Sequence, residues 1–215
     1  PVRIDPPAVA QRSVANIAFG YACDTVENVT VAARIINQFE TASGMTDIYF
    51  ALEMMVNHCP LTFYKVVAKQ SLARFYDLYK DEGTGVDMWL RVQARSPYVS
   101  VEQIKALMEH PAFEKGSNPN RVKALIGDFA KNPTAFHALS GEGYSFLAEF
   151  LAEYTVKNQQ TAAQLIDPLC EWRRYEPVRS KMMLAMLKML KVALSNLPAD
   201  KTAGIMDKVN KALAE

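Results

Sequence analysis

Cysteine and histidine are scarce in this chain, with three of each among 215 residues. Cys23, Cys59 and Cys170 lie far apart, each within or beside an apolar helical run. That pattern excludes a disulfide framework and reads as buried thiols in a reducing compartment. His58, His110 and His137 stand singly, and no H-E-x-x-H pair sets two imidazoles on one helical face. His58 beside Cys59 reads as a residue at a helix end, near the negative pole of the dipole. A cysteine–histidine nucleophile pair would have to meet in space rather than in order, and thiols on apolar faces are poor candidates. Neither a metal site nor a catalytic set is expected from these residues.

Charge of one sign is also lacking. Lys and Arg number 24 against 23 Asp and Glu, a net charge of +1. That balance gives no electrostatic case for nucleic acid or an anionic membrane. Arg173, Arg174, Lys181, Lys188 and Lys191 are spaced as a solvated helix face. No apolar run approaches the ~18 residues of a membrane span, and no signal peptide is read at the start, so a cytoplasmic location is expected. Phosphate loops are missing as well. Gly83-Thr84-Gly85 follows a helix and lacks the P-loop spacing, and Gly141-x-Gly143 has no strand before it, so both read as turns. Asp81-Glu82 reads as a surface pair at a helix end. Strand-like alternation is absent.

What remains is helix. Half the residues are hydrophobic and 22% are charged, an ordinary globular composition long enough to bury a proper core. Apolar residues recur at helical spacing in Ala10, Val14, Ile17 and Tyr21, and again in Ala32, Ile35, Ile36 and Phe39. Thr46 is a plausible cap for a helix carrying Asp47 in its first turn and Ile48, Leu52 and Met55 inside. Pro60 restarts the chain, and Leu72, Phe75, Tyr76 and Tyr79 mark a long helix running to Gly83. A helix bearing Trp89 and Val92 stops before Pro97. Ser100-Val101-Glu102-Gln103 is a capping box opening a helix that ends at His110-Pro111. Tyr144, Leu147, Leu151 and Tyr154 face one way, and a helix from Asn158 is broken at Pro168. Met183, Met186, Leu187, Leu190 and Leu194 form a core stripe, in which methionines read as core filler before binding surface. Ile205, Val209 and Leu213 point inward from the last helix, which begins at Pro198 to Asp200.

The fold class expected is all-α, about ten helices joined by short links. Helix pairs begin near Pro6, Thr46, Gly85, Asn118, Asn158 and Pro198, a spacing of roughly 35–40 residues that suits an armadillo- or HEAT-like superhelical stack. No linker divides the chain, so one domain over 1–215 is expected. Pro1 in place of Met leads to the expectation that the chain is a piece of something longer.

One stretch is irregular. Asn118 to Tyr144 reads NPNRVKALIGDFAKNPTAFHALSGEGY, with Asn118 as a cap and Pro119 at the first helical position. It breaks at Asn132-Pro133 and passes Phe136, His137 and a glycine turn into the next helix. Polar irregular links between helices are where function tends to sit. Here they bring no complete catalytic set.

The order N-P-N-R-V-K-A-L-I, then F-H, then G-E-G-Y resembles the C-terminal helical domain of the aminopeptidase N family of zinc metallopeptidases, bacterial type. Met45-Thr46-Asp47, Asp87-Met88-Trp89, Gln93-Ala94-Arg95-Ser96-Pro97, Asn158-Gln159-Gln160 through Leu165, and Arg174-Tyr175 are similar to further blocks of that family in the same order. The resemblance runs from about Val14 to the C-terminus. It implies helical repeats that close over a catalytic domain and line the cavity by which peptides enter. The zinc ligands of the family lie upstream, so no cofactor is implied for this chain and zinc belongs to the parent enzyme. This chain alone would be inactive. The partners implied are the catalytic domain of the same polypeptide and a peptide substrate, with no nucleic acid and no membrane. By resemblance the cavity-lining positions are Lys123, Gln160, Gln164 and Arg121. Lys123 and Gln164 stand where the family usually has Arg, which costs position 123 its bidentate fork and position 164 its charge. Gln160 and Gln164 also suit a solvated helix face, and Arg121 and Asn120 suit a structural role near the Asn118 cap. A free-standing helical-repeat scaffold with a peptide- or protein-binding concave face is the alternative.

Overall fold

The structure is a computed structural model and describes residues 29–57 and 62–214. The expected first helix, together with Cys23, His58, Cys59 and Pro60, lies outside the described residues. The described residues are all helix, turn and loop, without a strand. Two compact units, 1–85 and 86–215, divide the chain.

In the first unit, α1 (Val29–Thr41) packs on α2 (Met45–Asn57), and α2 packs on α3 (Thr62–Tyr79). The helical spacing of apolar residues explains the order. Ala32, Ile35 and Phe39 are buried on α1, and Ile48, Leu52 and Met55 on α2. Met45 already belongs to α2, so Thr46 is inside the first turn rather than its cap. The Gly44 carbonyl accepts the N–H groups of Asp47 and Ile48, both at 3.1 Å. Phe75 is fully buried with its ring 6.1 Å from Tyr49 and 4.8 Å from Tyr79. Leu72, Tyr76 and Tyr79 are only half-buried. This helix ends at Tyr79, before the expected Gly83.

Gly83-Thr84-Gly85 is not a free turn but the start of α4 (Gly83–Ala94). The reason is a close approach that sequence spacing does not reveal: a Cβ on Gly85 would stand 2.5 Å from Tyr79 Cβ. Only glycine lets the two helices meet there.

In the second unit, the capping box forms as expected. Ser100 Oγ accepts the Gln103 N–H at 3.3 Å, and Gln103 Oε1 accepts the Ser100 N–H at 2.8 Å, opening α5 (Val101–Glu109). His110 ends that helix and its Nδ1 accepts the Ala112 N–H at 3.1 Å, starting a 3-10 turn over Pro111–Gly116. Glu114 and Lys115 adopt left-handed backbone angles, φ 53° and 51°, uncommon for residues with a Cβ. Asn118 Oδ1 then accepts the Asn120 N–H at 3.0 Å and caps α6 (Pro119–Val122), with Pro119 in its first turn. A π turn, Lys123–Gly127, carries α6 into α7 (Asp128–Ala130).

Asn132 ends that rod. Its amide nitrogen donates to the Ala94 and Ser96 carbonyls at 3.1 and 2.8 Å, while Oδ1 accepts from Thr134 and Ala135 N–H at 3.1 and 2.9 Å. Then come α8 (Glu142–Tyr154), α9 (Gln159–Leu165) capped by Asn158, and α10 (Asp167–Cys170), which Pro168 separates from α9. The 3-10 turn Trp172–Arg174 leads to α11 (Pro177–Ser195) and α12 (Ala199–Ala214). α8 packs on α11, α9 on α12, and α11 on α12, so helices pair with partners further along the chain. This is the pairing expected of stacked helical repeats. Tyr144, Leu147, Leu151 and Tyr154 on α8 and Met183, Leu187, Leu190 and Leu194 on α11 are all buried. Each such side chain contributes about 1.5–3 kcal/mol of burial. Met186 is half-buried and Met189 is 44% exposed, so the methionines of α11 are only partly core filler.

Candidate functional site

Lys123 and Gln164 come together. They share a recess of about 310 Å³ with Arg91, Arg95, Asp128 and Lys131, floored by Gly127, Leu165 and Pro168. The π turn builds one wall, presenting Lys123 and Gly127 and leading straight into Asp128. Such turns are rare and gather at functional sites. α4 supplies Arg91, and Arg95 follows the last residue of that helix, its N–H donating to the Arg91 carbonyl at 3.0 Å, so the two side chains stand one turn apart. α9 supplies Gln164.

Asp128 organises the cations. Its carboxylate is nearly buried, with Oδ2 accepting Arg91 Nε at 3.0 Å and Oδ1 accepting Arg95 Nε at 2.8 Å. Arg95 Nη2 stands 2.7 Å from the same Oδ1. Lys123 and Lys131 are exposed, and no carboxylate among the described residues pairs with either. The recess therefore carries four cations against one carboxylate.

Gln160 lies elsewhere. With Gln159, Ala163, Gly204 and Lys208 it lines a second, shallower recess of about 500 Å³ between α9 and α12, and Gln164 borders both. Lys208 there pairs with Asp167 at 2.6 Å. Arg121 joins neither. It is 7% exposed and forms an ion pair with Asp87, while its Nε stands 3.3 Å from Glu114 Oε1. Buried between two carboxylates, it ties α6 to α4 and to the left-handed segment before it.

His137 is the centre of a separate buried cluster. Its Nδ1 is 2.9 Å from the Tyr144 hydroxyl and its Nε2 is 3.0 Å from that of Tyr175. The ring stacks on Tyr175 at 4.4 Å, and Arg179 Nε donates to the His137 carbonyl at 2.6 Å. Burial, aided by the Arg179 charge, lowers the His137 pKa below its ordinary 6.5. Burial likewise pushes the Tyr144 hydroxyl up to about 12. The neutral ring donates through one nitrogen and accepts through the other, which leaves neither for a metal. His110 Nδ1 is similarly engaged by the backbone.

Cys170 is half-buried rather than buried, and burial with the neighbouring Asp167 pushes its thiol up to about 11. A thiol held protonated in that way is a poor nucleophile. Among the described residues no group of three or more His, Cys, Asp or Glu is placed to hold a metal ion.

Sequence reasoning missed Arg91, Arg95, Asp128 and Lys131. Each was unremarkable alone, and only the packing of α4 beside the π turn gathers them. The one signal was the four-residue spacing of Arg91 and Arg95 at the end of a helix that otherwise buries Val86, Leu90 and Val92.

A stack of paired helices, carrying a basic recess and no metal-ligand group among its described residues, defines a helical-repeat domain. Residues 1–214 match the family described as a domain of unknown function (DUF3458_C) with ARM repeats, and the chain belongs to that family. It is homologous to aminopeptidase N. It is 36% identical over 220 residues to that of Escherichia coli, covering 99% of this chain and 23% of the relative. It is 35% identical over 211 residues to that of Caulobacter vibrioides, covering 97% and 23%. Aminopeptidase N of Haemophilus influenzae is 33% identical over 216 residues, covering 99% and 24%. Among solved structures, Legionella pneumophila aminopeptidase A in complex with aspartic acid superposes with a TM-score of 0.80 at 30% identity, covering 93% of this chain and 22% of that one. The chain thus spans about a quarter of the length of the curated relatives it matches.

Proposed function

We propose that this chain is the C-terminal, access-controlling domain of a zinc-dependent aminopeptidase. In this reading it closes over the catalytic domain of the same polypeptide and lines the cavity through which peptides reach the zinc. The observation that carries it is the pattern of coverage: nearly all of this chain, but about a quarter of each aminopeptidase N, takes part in the match. The metal ligands and the first-residue pocket then belong to the rest of the enzyme. That division is consistent with the donor chemistry here, where the nitrogens of His137 are committed to tyrosines and Cys170 is held as a thiol.

The chain's own contribution is shape and charge. Lys123 and Gln164 border one recess and would meet the part of a peptide that extends away from the scissile bond. Gln160, on the neighbouring recess, offers an amide that both donates and accepts, which suits main-chain groups of an extended peptide. A cytoplasmic location completes the proposal and rests on the cysteines being odd in number and far apart in the sequence.

The test is made in the full-length enzyme. Lys123→Ala and Gln164→Ala should raise KM for peptides of several residues and leave hydrolysis of a single aminoacyl anilide unchanged. Equal effects on both substrates, or none on the longer peptides, would remove the cavity-lining role.

A further inference from the structure

The chain as a whole is almost neutral, with a net charge of +1. Against that, four cations and one carboxylate around a single recess is a local concentration of positive charge. A run of basic residues is ordinarily a solvated face. This one differs in being concave and in being fixed from beneath. The two guanidiniums are tethered by a carboxylate whose side chain is only 10% exposed, while their own side chains are 36% and 49% exposed. Their outer donors remain within reach of a ligand.

Chemistry narrows what the ligand is. Each guanidinium has five N–H donors in a planar fork, and Asp128 engages only some of them. The free donors match the two oxygens of a carboxylate or the oxygens of a phosphate. Because Asp128 has already restricted both side chains, less rotamer freedom is lost when an anion arrives. Lys123 and Lys131 add charge that no carboxylate among the described residues pairs, and Gln164 adds an amide donor that carries none.

We propose that this recess is an oxyanion site that holds a carboxylate of a bound peptide. Arg91 and Arg95 are its principal binding pair, and Asp128 is the residue that positions them. The assignment rests on the reading of the domain as the wall of a peptide cavity, and it adds a preference for carboxylate-bearing peptides that neutral Gln164 cannot supply.

The experiment uses the 215-residue chain, so its outcome does not depend on catalysis. N-acetyl-tetraalanine with a free C-terminal carboxylate, and the same peptide as its C-terminal amide, are titrated at low salt and followed by NMR. Inorganic phosphate serves as a competitor. The acid should bind at least about tenfold more tightly than the amide, a difference of about 1.4 kcal/mol. Arg95→Gln and Lys131→Gln, both at exposed side chains, should each weaken the acid, whereas Lys188→Gln on α11 should not. Circular dichroism melts establish that each variant is folded. Asp128→Asn should weaken the acid although it raises the net charge, which a purely electrostatic surface would not do. Equal binding of acid and amide overturns the proposal, and so does unchanged binding by folded Arg95→Gln. Phosphate binding that the acid peptide fails to displace also overturns it, since the recess would then serve free phosphate. Failure of the cavity-lining reading shows separately, in the substrate dependence of the full-length Lys123 and Gln164 variants.

Discussion

His137 Nδ1 and the Tyr144 hydroxyl lie 2.9 Å apart, both buried, and so fasten the irregular turn to the helix it leads into. The Tyr175 hydroxyl, 3.0 Å from Nε2, fastens the same ring to the segment before α11. Removing Tyr144's hydroxyl as Tyr144→Phe leaves a buried ring nitrogen without a partner. The expected loss is about 1–3 kcal/mol, read by urea denaturation.

The same ring sets a pH dependence. Its folded-state pKa is lowered, so between that value and the ordinary 6.5 the unfolded chain binds the proton and the folded one does not. The stability it contributes is present above the ordinary histidine range and is lost as pH falls through the folded value. Tyr144, pushed up to about 12, gives the opposite sign, with stability falling as pH rises above its ordinary value of 10.0. Thermal melts across acid pH should therefore show a destabilisation that His137→Phe, which keeps an aromatic ring on Tyr175, largely removes.

Asn132 is 2% exposed and makes four hydrogen bonds to backbone groups on two sides. Asn132→Ala removes the side-chain partner of the Thr134 and Ala135 N–H groups and the amide donor to the Ala94 carbonyl, while the Ser96 carbonyl keeps the Val99 N–H. It should cost about 3 kcal/mol in a urea titration. Asn132→Asp keeps the two accepted bonds but loses both donated ones and buries a charge. It should be no more stable than the alanine variant.

Gly143 tests backbone approach. A Cβ there would stand 2.4 Å from the Phe136 carbonyl oxygen, so Gly143→Ala forces the turn off α8 and should cost about 3 kcal/mol or more. Gly204 on α12 is exposed and its nearest contact would be Gln159 Nε2 at 3.5 Å. Gly204→Ala should stabilise by up to about 1 kcal/mol through helix propensity. A thermal melt of the pair separates the two outcomes by sign.

Arg121 is expected to act on stability. Arg121→Met removes the buried cation between Asp87 and Glu114, leaving the Asp87 carboxylate, whose side chain is 19% exposed, without its partner. The loss should be about 3–5 kcal/mol. Pairing it with Asp87→Leu should recover part of that loss, a coupling that a double-mutant cycle measures directly.

Local chemistry made much of this fold legible. The capping box at Ser100 and Gln103, the Asn118–Pro119 start, the Asn158 cap and the break at Pro168 each depend on residues within one turn of each other. Sequence order therefore contains them. The buried faces of α1, α8 and α11 followed from helical spacing for the same reason. Thr46 and Gly83–Gly85 went differently because their position is decided by packing, Gly85 against Tyr79 above all. The left-handed angles at Glu114 and Lys115 and the π turn have no composition signal, since neither needs an unusual residue. The recess shows the same limit. Lys123 and Gln164 are marked by resemblance, whereas Arg91 and Arg95 lie more than thirty residues from Asp128 and meet it only through tertiary packing.

The central claim is a division of labour, in which this chain shapes access and another part of the polypeptide performs the chemistry. The most direct measurement is hydrolysis of an aminoacyl p-nitroanilide by the purified 215-residue chain in the presence of zinc, with bound metal quantified in the same sample. The account predicts no turnover and no stoichiometric zinc. Zinc-dependent release of nitroaniline by this chain alone, with one metal bound per molecule, would contradict it.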